Sequence, residues 1–411
     1  MTASPALQLL IDLGTTRLAG RLLDAQGDLL AEAGLDNPQF VHGTDVIRRL
    51  QAATEGVAAE LQQLALQAVT QLTAELLKQA GQPLAAVRQG LLAANPAMIT
   101  LLRGQPVAGL LRPPYRPPSL DGVWLHEAGL PPLYLLPAVS GFVGGDLLAY
   151  VYGQLPLVGP ALLIDVGTNG EMALWDGQAW WCSSVAAGPT FEGAHLACGM
   201  RAEAGAVYDV AVEEDRLRLR VIGDGLPRGL CGSGLTAAIG AAVAAGLVAA
   251  DGGLRPAADI DSNLARYLCQ DAGQPALCLY RDARCQLLIR QEEIRQFQLA
   301  KGALHAGAEC LLERAGLAPP ALERVLLSGA LGQALAPQTL KNVALLPEYM
   351  IKKVRFVGAG VLVGLGRLAV RPEGLAELDA LRRAMRPYPL SGTPAFEQAF
   401  LAALDFASGP A

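Results

Sequence analysis

The chain is poor in the residues that metal clusters and polyanion-binding surfaces need. Four histidines are scattered through 411 residues, and the seven cysteines include no Cys-x-x-Cys pair. The tightest cysteine group, Cys269, Cys278 and Cys285, is spaced too widely for the usual zinc or iron–sulfur motifs. We therefore expect reduced thiols and no iron–sulfur cluster within this chain. A net charge of −6 without an excess of lysine and arginine argues against a nucleic-acid partner.

Export signals and convincing membrane spans are also missing from the sequence. The first charged side chain is Asp12, so no positively charged segment precedes an apolar run as in a secretory signal. The longest uncharged stretch, Gly229 to Ala250, is mostly alanine and glycine and opens with the loop-like sequence Gly-Leu-Cys-Gly-Ser-Gly. We interpret it as a buried helix, and we expect a cytoplasmic protein with no membrane partner.

One short pattern is present twice. Residues 11–16 read Ile-Asp-Leu-Gly-Thr-Thr and residues 164–169 read Ile-Asp-Val-Gly-Thr-Asn, and each follows an apolar run. Each is trailed by a second apolar segment and a further turn, which is typical of β-hairpins. A single Asp-x-Gly-Thr is equally typical of an ordinary hairpin turn. Two copies followed by the same elements predict two similar half-folds, each with a phosphate-binding turn.

The chemistry of this pattern suits a nucleotide. An aspartate at the end of a buried strand is costly unless a cation or hydrogen-bond donors face it. Mg²⁺ carried by phosphates is the natural partner, so Asp12 and Asp165 are the candidate metal ligands. Glycine lets the backbone approach a ligand closely, and backbone N–H groups with a threonine hydroxyl can hold an anion. The candidate phosphate-binding residues are Gly14, Thr15, Thr16, Gly167, Thr168, Asn169 and Gly170.

Apolar periodicity predicts the elements around these turns. Residues 7–35 are interpreted as three strands, and Asp45 to Ala80 has the spacing of a helix that Gly81 ends. A second amphipathic helix is predicted over 291–315. The other predicted elements are strands at 90–94, 133–137, 325–328 and 354–357, and helices opening near Asp146, near Gly234 and over 358–368.

Two later glycine turns lie beside apolar segments. Neither fits a Walker loop, and no convincing Gly-x-Gly-x-x-Gly follows a strand. Each alone is more typical of packing, but together with the repeated turns they predict nucleoside contacts. The candidates are Gly232, Ser233, Gly234, Ser328, Gly329, Ala330 and Gly332.

The order of these motifs resembles the acetate kinase–sugar kinase–Hsp70–actin superfamily. That resemblance implies an α/β protein with a duplicated actin-like (ribonuclease H-like) two-lobe ATPase fold. The lobes are expected at 1–152 and 153–370, with the last helix returning to the hinge and a C-terminal tail at 371–411.

Further motifs resemble the ATPase part of the reductive activators of corrinoid-dependent proteins. They are Asn37-Pro-Gln39 with Gly43-Thr-Asp-Val-Ile47, Phe142–Asp146, Asp165–Glu171, Ala187–Gly193, Gly229–Gly234 and Gln298–Gly302. The resemblance covers about residues 7–370. It departs from the family pattern at Ala330-Leu331, where an aromatic residue usually precedes the glycine, and at Ala359.

This resemblance implies a Mg²⁺-dependent ATPase that returns a corrinoid from Co(II) to Co(I). Family members receive their electron through an iron–sulfur domain, commonly an N-terminal plant-type ferredoxin. The chain has no Cys-x₄-Cys-x₂-Cys run, so we expect it to lack that domain and to use an external ferredoxin-like electron donor. The expected partner is a corrinoid protein or related metalloprotein. The target and the oligomeric state, with a homodimer among the alternatives, stay open.

Two acids are candidates for orienting the attacking water. Asp146 follows paired glycines at a helix start, and Glu171 is the second candidate. Their alternatives are a helix N-terminal acid for Asp146 and a strand-edge carboxylate for Glu171. Lys301 is either a contact to adenosine or ribose or a solvated helix lysine, and Glu192 receives no role.

Two other functions are compatible with the sequence. One is a small-molecule kinase or ATP-dependent amide hydrolase on the same fold. The other is a non-catalytic regulator that binds nucleotide without hydrolysing it. A fold by itself does not decide among these.

Overall fold

The computed structural model describes residues 7–193, 196–331 and 335–407. Within these residues the strands are, in chain order, β1 Leu7–Leu13, β2 Arg17–Leu23, β3 Leu29–Asp36, β4 Val87–Ala94, β5 Val123–Leu125, β6 Leu133–Leu135, β7 Ala161–Val166, β8 Asn169–Trp175, β9 Trp180–Ala186, β10 Ala206–Glu213, β11 Arg216–Val221, β12 Gly229–Leu230, β13 Leu268–Asp271, β14 Gln274–Arg281, β15 Gln286–Arg290, β16 Arg324–Gly329, β17 Val354–Phe356 and β18 Met385–Pro387. The α-helices are α1 Val46–Ala52, α2 Ala58–Ala80, α3 Pro96–Leu102, α4 Gly145–Gln154, α5 Gly232–Ala244, α6 Gln291–Ala315, α7 Pro337–Asn342, α8 Glu348–Ile351, α9 Gly360–Val370, α10 Gly374–Ala384 and α11 Pro394–Ala402.

The chain divides into two compact units. The first unit comprises Met1–Val158, Gly177–Ser183 and Ala359–Tyr388, and the second comprises Gly159–Asp176, Ser184–Gly358 and Pro389–Ala411. The second half of the sequence therefore returns to the first unit with α9 and α10. The segment predicted as a C-terminal tail, 371–411, contains α10, β18 and α11.

The first unit is built on a six-stranded sheet in the order β3-β2-β1-β4-β6-β5. β1 forms an antiparallel hairpin with β2 and pairs in parallel with β4, which pairs in parallel with β6. Leu9 and Ile11 of β1 share a buried core with Leu61, Leu72 and Leu76 of α2. Leu72 and Leu76 are four residues apart, so they project from the same apolar face of α2.

The predicted helix over 45–80 is interrupted. Asp45 caps α1 by accepting a hydrogen bond from the Arg48 N–H, and α2 ends at Gly81 in the left-handed conformation, as expected for a C-terminal cap. Between the two helices lies the wide turn Ala53–Val57, in which Gly56 has φ 114°. That conformation is incompatible with a continuous helix, so the single predicted helix is two.

The second unit repeats the strand pattern of the first. The hairpin β7–β8 is antiparallel, β16 pairs in parallel with β7, and β17 pairs in parallel with β16. In both units, later strands in the sequence run parallel to the first strand of the hairpin and extend the sheet from that strand. This common topology agrees with the duplication predicted from the two Asp-x-Gly-Thr turns.

Other parts of the second unit agree with sequence expectations. The uncharged stretch from Gly229 forms β12 and the buried helix α5, and the helix predicted over 291–315 is α6 with the same bounds. Two three-stranded sheets, β11-β10-β12 and β13-β14-β15, complete this unit. Across the described parts of the chain, every helix is too short or too polar to cross a lipid bilayer.

Candidate functional site

The first Asp-x-Gly-Thr turn connects β1 to β2 and is held by two buried asparagines. Asn95, which caps α3, donates from Nδ2 to Thr15 Oγ1 at 3.1 Å. Asn37 donates from Nδ2 to the Gly14 carbonyl at 3.0 Å, and its backbone N–H donates to the Thr16 carbonyl at 2.8 Å. Gly14, Thr15 and Thr16 are therefore held by side-chain and backbone hydrogen bonds from two other segments of the first unit.

Asp146 lies at the same edge of the sheet. It is in the first turn of α4, where its Oδ1 accepts a hydrogen bond from the Leu147 N–H at 2.8 Å. A Cβ atom built on Gly144 would lie 2.7 Å from Asp146 Oδ1 and 2.4 Å from the Ala94 carbonyl oxygen. Because Ala94 pairs with Leu13 at the end of β1, the Asp146 carboxyl lies near the strand end that carries Asp12.

The Asp146 carboxyl has an unusual pKa. Burial raises the pKa of Asp146 to about 6, because desolvation disfavours the charged form more than the backbone hydrogen bonds favour it. A carboxyl that exchanges a proton near neutral pH is suited to acid–base work. Asp146, the first candidate for orienting water, therefore lies at the edge of the sheet that carries the first Asp-x-Gly-Thr turn. Its catalytic role stays a prediction.

The second turn has a different environment. Thr168 Oγ1 and Glu192 Oε1 are 2.8 Å apart in a hydrogen bond, and the Gly188 N–H donates to the Thr168 carbonyl at 2.7 Å. Within the turn, the Gly167 N–H donates to the Asn169 carbonyl at 2.9 Å. A Cβ atom on Gly167 would lie 3.5 Å from Glu192 Oε1. The loop that carries Glu192 therefore lies directly over the second turn.

Two further carboxylates face each other beside this turn. Asp165 of β7 is paired with Glu171 of β8, and residues directly opposite in an antiparallel pair project from the same face. Glu171 is buried, with 8% of its surface exposed, and its strand β8 lies between β7 and β9 in the sheet. Gly170 has a different neighbour, since a Cβ atom there would lie 2.3 Å from Leu304 of α6. Gly170 therefore accommodates a packed helix.

The late glycine turn adjoins the second Asp-x-Gly-Thr turn. Ser328 and Gly329 of β16 pair with Asp165 and Val166 of β7, and the Ala330 N–H donates to the Val166 carbonyl at 2.5 Å. Gly329 has φ 92°, and a Cβ atom there would lie 2.2 Å from that same carbonyl oxygen. Glycine is thus required at this position by both the backbone conformation and the space. Gly332, the last residue proposed for this turn, lies outside the described residues.

The glycines that open α5 are explained by packing. A Cβ atom on Gly232 would lie 1.8 Å from the Phe191 carbonyl oxygen and 2.9 Å from that of Ala330. A Cβ atom on Gly234 would lie 1.9 Å from the Val207 carbonyl oxygen, and Ser233 is fully buried. The start of α5 therefore packs against the loop that carries Glu192 and against the late glycine turn. Nucleoside contact by these residues stays a prediction.

Lys301 is not a solvated helix lysine. Its side chain is fully buried, and its ammonium group donates to the Asp405 carbonyl and lies 5.3 Å from the centre of the Phe406 ring. Burial lowers the pKa of Lys301 to about 8. The ammonium group contacts the C-terminal segment of the second unit, and its proposed contact to adenosine or ribose stays a prediction.

Each unit carries carboxylates of the kind that bind Mg²⁺. Asp12 lies one residue before the end of β1, and Asp165 and Glu171 project from one face of the β7–β8 hairpin. Mg²⁺ prefers carboxylate oxygens together with phosphates and water, so these residues fit it.

Sequence reasoning missed the residues that support the turns. Asn95 is followed by Pro96 directly after an apolar strand, a signal for a helix start, but nothing in the sequence places Asn95 against Thr15. Asn37 and Glu192 were part of recognised motifs, yet their contacts depend on segments far away in the chain. Strand pairing brings Asn37 and Asn95 to the first turn, and the loop after β9 brings Glu192 to the second turn.

Comparisons with known proteins agree with this architecture. The family described as "RACo middle region" matches residues 7–154, and the family described as "C-terminal domain of RACo the ASKHA domain" matches residues 159–409. The solved structure titled "Reductive activator for corrinoid,iron-sulfur protein" superposes with a TM-score of 0.92 at 27% sequence identity, covering 99% of this chain and 67% of that chain.

Two curated proteins are similar in sequence. "Corrinoid activation enzyme RamQ" of Eubacterium limosum is 28% identical over 97% of this chain and 70% of its own length. "[Co(II) methylated amine-specific corrinoid protein] reductase" of Methanosarcina barkeri is 25% identical over 54% of this chain and 41% of its own length. This chain therefore matches only part of the length of each relative. With both family descriptions matched in order along one duplicated actin-like ASKHA fold, the chain belongs to the RACo family of corrinoid-protein activators.

Proposed function

We propose that this chain is a Mg²⁺-dependent ATPase that drives the reductive reactivation of a corrinoid protein or related metalloprotein. One electron from a separate donor reduces the substrate cobalt from Co(II) to Co(I), and ATP and water give ADP and phosphate. The observation that carries the proposal is the pair of tethered Asp-x-Gly-Thr turns in sheets of the same topology. The names of the relatives support the choice of substrate.

In this proposal the chain's own groups bind and orient ATP. The backbone and hydroxyl groups of the two turns hold the phosphates, and Asp12 and Asp165 hold Mg²⁺, which neutralises phosphate charge. Phosphoryl transfer requires positioning and charge stabilisation more than covalent chemistry, so such groups suffice. The late glycine turn, the start of α5 and Lys301 are assigned to the nucleoside.

The proton of the attacking water requires an acceptor. Asp146 is our first choice, because its raised pKa makes the carboxylate a stronger base than an ordinary aspartate at neutral pH. Water attacks the terminal phosphorus, the bond to the ADP oxygen breaks, and the Asp146 carboxylate accepts the proton of the water. Glu171 is the second choice.

ATP can drive an uphill reduction only by altering an equilibrium. A nucleotide shifts a conformational equilibrium by its differential affinity for the two conformations. Binding and hydrolysis would thus alternate the protein between a form that binds the Co(II) partner tightly and a form that releases it after reduction. The electron donor is a ferredoxin-like protein in this proposal.

The first experiment tests nucleotide binding. The affinity for Mg-ATP is measured by calorimetry for the wild type, Asp12→Asn, Asp165→Asn and the control Asp261→Asn, which changes an exposed aspartate of the second unit. We expect the first two variants to lose affinity at least tenfold, whereas the control keeps it. Unchanged binding in both site variants would refute the proposed nucleotide site.

The second experiment tests the coupled reaction. The protein is mixed anaerobically with a Co(II) corrinoid protein, a reduced ferredoxin and ATP, and the Co(I) absorption band is followed. We expect Co(I) to form with ATP and not without it, and Asp146→Asn to bind ATP but to lose most turnover. If ATP is hydrolysed but Co(I) forms with no corrinoid partner, the proposed corrinoid substrate is refuted. The proposed ATPase activity is then still supported.

A further inference from the structure

The two phosphate turns are similar in sequence but opposite in hydrogen-bond chemistry. Thr15 Oγ1 lies 3.1 Å from Asn95 Nδ2, and Thr168 Oγ1 lies 2.8 Å from Glu192 Oε1. An amide nitrogen only donates, whereas an ionised carboxylate only accepts. The same hydroxyl group is therefore an acceptor at the first turn and a donor at the second.

The assignment at the first turn is fixed by a third group. Asn95 Oδ1 accepts a hydrogen bond from the Met98 N–H at 3.0 Å, so the amide nitrogen must face Thr15. The Thr15 oxygen accepts a hydrogen bond from this nitrogen, so the Thr15 hydroxyl proton points away from Asn95. Asn37, the other tether, is also a neutral amide. The side chains that tether the first turn are therefore neutral amides, and the acidic residues at this strand end are Asp12 and Asp146.

The side chain that tethers the second turn is acidic instead. The Thr168 proton is directed to Glu192, and the carboxylate of Glu192 would be only 3.5 Å from a Cβ atom on Gly167. A bare phosphate at this turn would meet repulsion from the Glu192 carboxylate. A phosphate that carries a divalent cation would not, since the cation is attracted to the same carboxylate.

We propose that Glu192 makes the second turn selective for metal-bound phosphate. This inference rests on the proposed function, because it assumes that the turns bind ATP. Glu192 is a specificity-determining residue: it holds the Thr168 hydroxyl in the acceptor orientation toward the ligand and supplies charge that a cation compensates. The neutral tethers of the first turn, Asn95 and Asn37, lack this charge.

The test compares ATP affinity with and without metal. Calorimetry gives the dissociation constant of the full chain for ATP in excess Mg²⁺ and for ATP in EDTA, and the readout is the ratio of the two constants. Glu192→Gln removes the charge but keeps a carbonyl oxygen that accepts from Thr168. We expect it to tighten metal-free ATP binding roughly tenfold and to weaken Mg-ATP binding, because the charge acts on the two ligands with opposite sign.

Three further variants make the test specific. Glu192→Asp keeps the charge, so its ratio should stay close to that of the wild type. Thr15→Val removes a donor from the first turn, so it should weaken both ligands by a similar factor. Glu313→Gln removes one exposed negative charge near the end of α6 and serves as the matched control, with no change in the ratio.

Several outcomes would overturn the inference. A Glu192→Gln protein that changes both affinities by the same factor, or neither, shows that Glu192 has only a structural role. A Glu192→Asp ratio that matches that of Glu192→Gln also refutes the charge argument. If the wild type binds no ATP in either condition, the proposed function itself fails, which distinguishes that failure from the failure of this inference.

Discussion

Replacing Asn37 by alanine is the sharpest test of how the first Asp-x-Gly-Thr turn is held. The Asn37 side chain is completely buried. Its Nδ2 donates to the Gly14 carbonyl at 3.0 Å, and its Oδ1 accepts from the Gln39 N–H at 3.1 Å, which caps the short helix Pro38–His42. The backbone bond to the Thr16 carbonyl survives the substitution, because alanine keeps its N–H.

The expected loss of stability follows from these contacts. Removing an N-cap side chain costs about 1 kcal/mol. Leaving the partly buried Gly14 carbonyl without its donor costs about 1–2 kcal/mol more. We therefore expect Asn37→Ala to lower the free energy of unfolding by about 2–3 kcal/mol. We also expect weaker Mg-ATP binding, since the turn loses one of its two side-chain tethers.

A matched control separates the tether from the cap. Ser262 caps the five-residue short helix Asn263–Tyr267 by accepting from the Leu264 N–H at 3.3 Å. Among the described residues, the hydrogen bonds of Ser262 involve neither turn. Ser262→Ala should cost about 1 kcal/mol or less. Urea unfolding followed by circular dichroism measures both variants. An Asn37→Ala protein that is no less stable than Ser262→Ala would refute the tether.

Three other predictions concern charge burial and one glycine. Asp146→Asn should be more stable than the wild type above about pH 6, by up to about 3 kcal/mol. The difference should vanish below about pH 4, because burial penalises only the charged form of Asp146. Urea midpoints of the two proteins that change in parallel with pH would contradict this. Since the pKa of Lys301 is lowered to about 8 from 10.5, the unfolding free energy of the wild type relative to Lys301→Met should rise between those pH values; a flat difference in thermal unfolding across that range would refute the buried charge. Gly329→Ala should cost more than about 3 kcal/mol because of its clash with the Val166 carbonyl, whereas Gly316→Ala, at φ 66° with open space, should cost only about 1 kcal/mol. Equal denaturation midpoints for the two alanine variants would contradict the packing argument.

Local patterns predicted the elements well. The hairpin β1–β2, the hairpin β7–β8 and the helix α6 are present where apolar spacing and turn residues placed them. The error in the helix predicted over 45–80 has a local cause, since Gly56 adopts φ 114° within an otherwise helical pattern. Apolar spacing continues through that point, so periodicity alone did not detect the break.

The candidate site was predicted less completely. The acids and glycines of the turns were identified, because their chemistry is contained in a few adjacent residues. Their supports were not, since Asn95 reaches Thr15 through the pairing of β1 with β4, and Glu192 reaches Thr168 through a loop that follows β9. For Lys301, burial against the C-terminal segment replaces the solvated alternative.

Two similar halves, each with an acid–glycine–threonine turn at the end of a buried strand, can be inferred from the amino-acid order alone. This is possible because apolar periodicity and turn chemistry depend on residues that are neighbours in the chain. The difference between the two turns becomes visible only in the folded chain. One threonine hydroxyl accepts from a neutral amide and the other donates to a carboxylate, and each partner comes from a distant segment that sheet pairing and loop packing bring to the turn.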